Sequence, residues 1–152
     1  MTLDSGIART TFDGTRIQKF STGDAPTWLQ VGDHEAYLGY IADEDDGSVL
    51  GLAFIRFKMG VRFEFRWAYH EVCVVTQGSL TLRVGDDEIT VRQGEFLHMP
   101  PGVIGLFDVR EDFEAVCVHY PTDGIAGREW NGPERLPADT SIRPVNIDDV
   151  WP

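Results

Sequence analysis

The stretch Val61-Arg62-Phe63-Glu64-Phe65-Arg66-Trp67 alternates without a break between apolar and charged side chains. A period of two over seven residues, carried by β-branched and aromatic side chains, predicts a strand with one buried and one wet face. Val61, Phe63, Phe65 and Trp67 take the inner face, and Arg62, Glu64 and Arg66 the outer. Working outward, residues 71–77, 80–84, 89–92, 96–99, 105–109 and 113–120 read as further short strands. Gly78, Gly85-Asp86-Asp87, Gly94 and Pro100-Pro101-Gly102 punctuate them. No segment before residue 120 has a helical period, so the pattern predicts an all-β sandwich or barrel. Upstream, Asp43-Glu44-Asp45-Asp46-Gly47 reads as a hairpin turn. Residues 49–57 are apolar at both parities, which predicts a strand covered on both faces, a second copy of the chain being one way to cover the outer one.

The chain has 152 residues with 42% apolar content, enough for one domain with its own core. It carries 25 Asp and Glu against 13 Lys and Arg, a formal charge of −12. That balance weighs against nucleic acid or an anionic membrane as partner, since both reward a positive surface. No apolar run approaches the length of a membrane-spanning helix, and no secretory leader is evident. Cys73 and Cys117, outside any CxxC pattern, exclude a disulfide framework or a four-cysteine zinc site. The expectation is a cytoplasmic protein with two buried thiols. Three segments follow: an irregular N-terminal arm over 1–35, a barrel over 36–121 and an irregular, Pro-rich C-terminal arm over 122–152. Five of the eight prolines lie from Pro121 onward, which argues against a regular helix or a central strand there. Trp130 and Trp151 predict that this arm lies on the barrel or on a neighbouring subunit.

Gly94, Pro100 and Gly102 form a G-x5-P-x-G pattern, and Glu71 with Gly78 forms E-x6-G. In this order and separation the pair resembles the second motif and the end of the first motif of the cupin superfamily. The resemblance implies a single-domain jelly-roll β-barrel, a homodimer and a small-molecule site inside the barrel. Cupins commonly bind a metal through two His of an H-x-H, a Glu and a later His. Here Glu71 matches the Glu, whereas Phe65 and Trp67 fall at the H-x-H positions with a three-residue spacer, or Glu64 and Arg66 with four. Alternation favours Phe65 and Trp67, and the later His falls at Gly105. Phe, Trp and Gly side chains offer no lone pair to a metal. Trp67-Ala68-Tyr69-His70-Glu71 with Val74-Val75-Thr76-Gln77-Gly78 resembles the EutQ-type ethanolamine-utilisation cupins, which also lack those histidines. An acetate-kinase activity is attributed to that family, but this chain has no Walker-type loop to carry it.

Glu71 is expected inside the barrel, with Cys73 on the same face. If Cys73 pairs with Cys117 across antiparallel strands, Glu71 stands opposite His119, at the 4.5–5.5 Å Cβ separation typical of such partners, as a general acid/base couple. Tyr69 joins them as a catalytic candidate at the cavity rim. Phe63, Phe65, Trp67, His98, Cys73 and Cys117 are candidate substrate contacts, Phe65 and Trp67 offering faces to an amine. His98 shares parity with Phe96 and lies either at the barrel mouth or on the outer sheet. Three functions are expected to compete. One is a metal-independent enzyme of isomerase, lyase or hydrolase type; another is a non-catalytic binding or assembly module of a catabolic pathway. The third is an atypical metalloenzyme holding Zn²⁺ or Fe²⁺ through Glu71, His98 and His119.

Overall fold

The computed structural model describes residues 9–122 and 141–152. The strands are β1 (Trp28–Val31), β2 (Ala36–Ala42), β3 (Gly51–Phe57), β4 (Arg62–Arg66), β5 (His70–Gln77) and β6 (Ser79–Val84). They continue with β7 (Asp87–Arg92), β8 (Phe96–Met99), β9 (Ile104–Asp108), β10 (Phe113–Tyr120) and β11 (Ile142–Val145). One antiparallel sheet has the order β11-β1-β2-β3-β10-β5-β8 and faces a second of order β4-β9-β6-β7. This is the all-β architecture that the alternation predicts, in the jelly-roll form that the cupin resemblance implies. Among the described residues no helix is long and apolar enough to cross a membrane.

The core lies between the sheets. Ile55 and Phe57 of β3, Cys73 and Val75 of β5, and Ala115 and Cys117 of β10 meet Phe63 of β4, Leu80 and Leu82 of β6 and Phe107 of β9. Gly78 turns β5 into β6 at φ +68, a conformation that L side chains rarely adopt. A Cβ there would also stand 2.1 Å from the Asp112 carbonyl oxygen. The acidic 43–47 stretch joins β2 to β3 through a 3₁₀ turn at Glu44–Asp46, where the Asp43 side chain accepts from the Asp45 N–H.

Regular structure reaches beyond residues 36–121. β1 and β11 join the large sheet, and β11 forms its edge, where Pro144 withholds no hydrogen bond that an inner strand would need. A one-turn helix, α1 (Ile147–Val150), follows with the Asn146 side chain accepting from the Asp148 N–H. The sequence argument against a helix in this arm fails here because the helix begins after Pro144. Trp130 lies outside the described residues.

Helix α1 and Trp151 explain why β3 is apolar at both parities. Phe54, on the face of β3 turned away from the core, packs with Ala25, Trp28 and Tyr37 against Ile147, Val150 and Trp151. This chain's own tail therefore covers the second face at Phe54. The Trp151 ring also receives Lys58 Nζ at 4.9 Å and the Arg56 guanidinium at 5.6 Å from its centroid. Trp151→Ala should therefore cost about 2 kcal/mol of stability from lost apolar burial and cation–π contact. Urea unfolding checks this, and an unchanged midpoint would mean that the tail does not hold the outer face.

Candidate functional site

Between the sheets lies a cavity of about 210 Å³. Phe63, Phe65 and Trp67 enter it from β4 and its end, and Phe107 from β9. Glu71 and Cys73 come from β5, Cys117 and His119 from β10, while Tyr69 precedes β5. Ile142 of β11 borders the space, so the C-terminal segment contributes to its wall. Among the described lining residues Glu71 is the one Asp, Glu, Lys or Arg.

The β5–β10 register brings the polar groups together. Cys117 pairs with Cys73 and His119 with Glu71, the register that the Cys73–Cys117 argument anticipates. Side-chain contacts, however, divide the two residues. Glu71 Oε1 accepts from the Trp67 indole N–H at 2.7 Å, and the Cys117 thiol lies within 4.8 Å of the carboxyl. His119 instead stacks on Tyr69, with ring centroids 4.4 Å apart. Its other face lies over the backbone of its pairing partner Gly51, where an added Cβ would stand 1.9 Å from His119 Cε1. Gly51 is the space that His119 occupies.

An absent side chain also shapes the carboxyl's surroundings. At Gly105, where the later His of a cupin would stand, a Cβ would meet the Trp67 ring at 3.0 Å and Leu82 at 3.1 Å. The indole of Trp67 fills the room that a side chain at 105 would need, and its N–H points to Glu71. The usual three-His, one-Glu metal set therefore does not fit these residues, because Phe65, Trp67 and Gly105 stand where it needs imidazoles. Glu71, Cys73 and Cys117 are the cluster whose donor atoms lie within 4.8 Å of one another. Its two sulfurs are in contact at 2.7 Å.

Electrostatics follow from burial. Burial pushes the Glu71 carboxyl up to about 7, against the smaller opposing effect of the Trp67 hydrogen bond. Burial lowers His119 below its ordinary value, with Glu44 opposing, and so favours the neutral imidazole. Tyr40 is raised to about 12, first by burial and then by Glu71. Tyr69 rises well above its ordinary value for the same two reasons, and Cys117 rises through burial and then Cys73.

Tyr40 is a lining residue that sequence reasoning missed. β2 reads Ala36-Tyr37-Leu38-Gly39-Tyr40-Ile41-Ala42, apolar at both parities, so nothing in it selects a face. Its pairing with Ala53 of β3 decides the matter. His98 is a correction. β8 turns Leu97 and Met99 inward and leaves Phe96 and His98 exposed, with His98 paired to Val72. His98 therefore contacts no cavity ligand, and the Glu71–His98–His119 metal set is not assembled.

With this geometry the sequence comparisons converge. Residues 58–116 match the family model of the EutQ-like cupin domain. The chain has the cupin fold. Its fold is similar to that of the EutQ protein of Salmonella typhimurium LT2, at 22% identity and TM-score 0.55 over 58% of this chain and 71% of that one. The Clostridium difficile EutQ protein is 23% identical, with TM-score 0.54 over 58% of this chain. Of that protein the chain spans 64%, less than two thirds of its length. Ectoine synthase from P. lautus is 14% identical with TM-score 0.62, over 86% of this chain and 91% of that one. No curated protein sequence matches.

Two predictions follow from the cupin cavity. Glu71 holds its proton more tightly when folded, since about 7 lies above its ordinary 4.5. Folding therefore takes up a proton between those pH values, and stability contributed by the protonated carboxyl is lost as pH rises through 7, by about 3 kcal/mol in all. Glu71→Gln should flatten this decline and be the more stable protein at pH 8, with little difference at pH 4.5; parallel denaturation curves across pH would contradict it. Gly51→Ala should displace His119 and cost about 1–3 kcal/mol through overpacking. The double substitution Gly51→Ala with His119→Ala should recover much of that loss, a non-additivity readable from thermal melts.

Proposed function

We propose that this cupin takes a small, partly apolar molecule with an amine or another hydrogen-bond-donating head into the barrel and transfers a proton to or from it at Glu71. The observation that carries this reading is a largely aromatic cavity with one carboxyl among its described lining residues. An ammonium group would find its counter-charge at Glu71 and aromatic faces at Phe65 and Trp67. A phosphate or carboxylate would find no Lys or Arg among the described lining residues, and His119 favours its neutral form. The volume suits a metabolite of few heavy atoms. The Salmonella protein is named for ethanolamine utilization, and a short hydroxy-amine of that kind has the charge and size this cavity favours.

In the catalytic form of the reading, the indole N–H of Trp67 fixes one carboxyl oxygen and leaves the carboxyl's remaining acceptor capacity for the ligand. Glu71 moves the proton. The Tyr69 hydroxyl and the neutral His119 imidazole, fixed by their mutual stack, orient the other end of the ligand. A second reading, binding without turnover, is favoured by one observation: Glu71 bonds Trp67 while His119 stacks on Tyr69, so the two do not form a closed acid/base couple.

Calorimetric titration of small amines, amino-alcohols, carboxylates and phosphate esters tests the reading. Amines should bind, and Glu71→Gln should weaken them by roughly tenfold or more, the size of a lost charged hydrogen bond. Preference for anions, or equal affinity in Glu71→Gln, would overturn it. With a binding amine in hand, turnover that vanishes in Glu71→Gln separates the enzyme from the binding module.

A further inference from the structure

Two of the chain's four histidines meet on the outside of the barrel, behind the cavity wall. His70 opens β5 and His98 lies in β8, and both are exposed because their neighbours Glu71 and Met99 turn inward. His70 Nδ1 and His98 Nε2 stand 3.2 Å apart, with the ring planes within 11° of parallel. Their strand partners are uncharged: Val72 pairs with His98 and Tyr120 with His70, and Phe96, two residues before His98, is 63% exposed. Among the described residues no Asp or Glu forms an ion pair with either ring. The histidines' described polar partner is each other.

We propose that His70 and His98 form a bidentate site for an imidazole-preferring divalent cation, of the class of Cu²⁺, Zn²⁺ and Ni²⁺. For metal–nitrogen bonds of about 2.0–2.1 Å, the present 3.2 Å separation corresponds to a ligand–metal–ligand angle near 100°, within reach of tetrahedral geometry. One imidazole already presents a lone pair to the other. The second need only carry its proton on the remote nitrogen, which faces water, so the cation replaces the shared hydrogen without any buried group being moved. The exposed positions remaining on the cation would be filled by water or a further ligand. A chain of charge −12 concentrates cations near its surface. Imidazole selects the later first-row metals over Mg²⁺ and Ca²⁺, which seek oxygen.

The site has a mechanical consequence. β8 is a four-residue edge strand whose sheet neighbour is β5 alone. A cation shared by His70 and His98 ties that edge across the strand pair, next to the segment that carries Glu71.

The test uses tag-free, metal-free full-length protein titrated with Cu²⁺ and Zn²⁺. One equivalent of Cu²⁺ should bind, with nitrogen hyperfine structure from two imidazoles in its electron paramagnetic resonance spectrum. Zn²⁺ at a hundredfold excess over its dissociation constant should raise the melting temperature by roughly 5–10 °C. His98→Ala and His70→Ala, both at exposed positions, should each weaken binding by about tenfold or more through loss of the chelate. Each should also abolish the thermal shift, while Glu71→Gln and Cys73→Ser retain both. Absence of one-equivalent binding would overturn the proposal. So would a thiolate-to-metal charge-transfer band lost in Cys73→Ser, which would place the metal at the cavity cluster instead.

Discussion

One hydrogen bond organises the interior of this barrel: the Trp67 indole N–H donated to the Glu71 carboxyl. An ionisable group so enclosed is costly unless it is bonded or neutral, and both remedies are present. Trp67 bonds it, and its raised proton affinity lets it stay neutral up to about pH 7. Trp67 can reach it only because residue 105 has no side chain, so the same glycine that removes a metal ligand makes room for the ring that replaces it. Aromatic rings and a glycine stand around the Glu71 carboxyl at the positions where cupins commonly carry imidazoles. His119 obeys a parallel logic. Its ring lies between Tyr69 and the bare backbone of Gly51, oriented by packing rather than by a carboxylate.

Much of this was legible in the sequence, for a physical reason. Where a strand separates core from water, its alternation fixes each side chain's face. Val61 to Trp67 is such a strand, and it placed Phe63, Phe65 and Trp67 in the cavity wall. Antiparallel pairing then transmits position across strands, so one pair, Cys73 with Cys117, located Glu71 opposite His119. Register gives backbone neighbours, though, and not the rotamers that send Glu71 toward Trp67 and His119 toward Tyr69.

The rest was hidden where both faces of a strand are apolar. β2 and β8 carry apolar side chains at both parities, so Tyr40 and His98 had no face assigned by pattern. In β3 the double coverage was readable, but not that α1 and Trp151 supply it. Proline arguments excluded a central strand in the tail and remained silent about an edge one, which is what Ile142–Val145 forms.

The account stands on a carboxyl that is desolvated yet reachable from the cavity. Its most direct measurement is the titration of the Glu71 side-chain carboxyl by carbon-detected nuclear magnetic resonance, assigned through Glu71→Gln. A midpoint near 7 is the predicted result. A midpoint at the ordinary value of 4.5 would contradict it, because the carboxyl would then be solvated and the cavity open to bulk water.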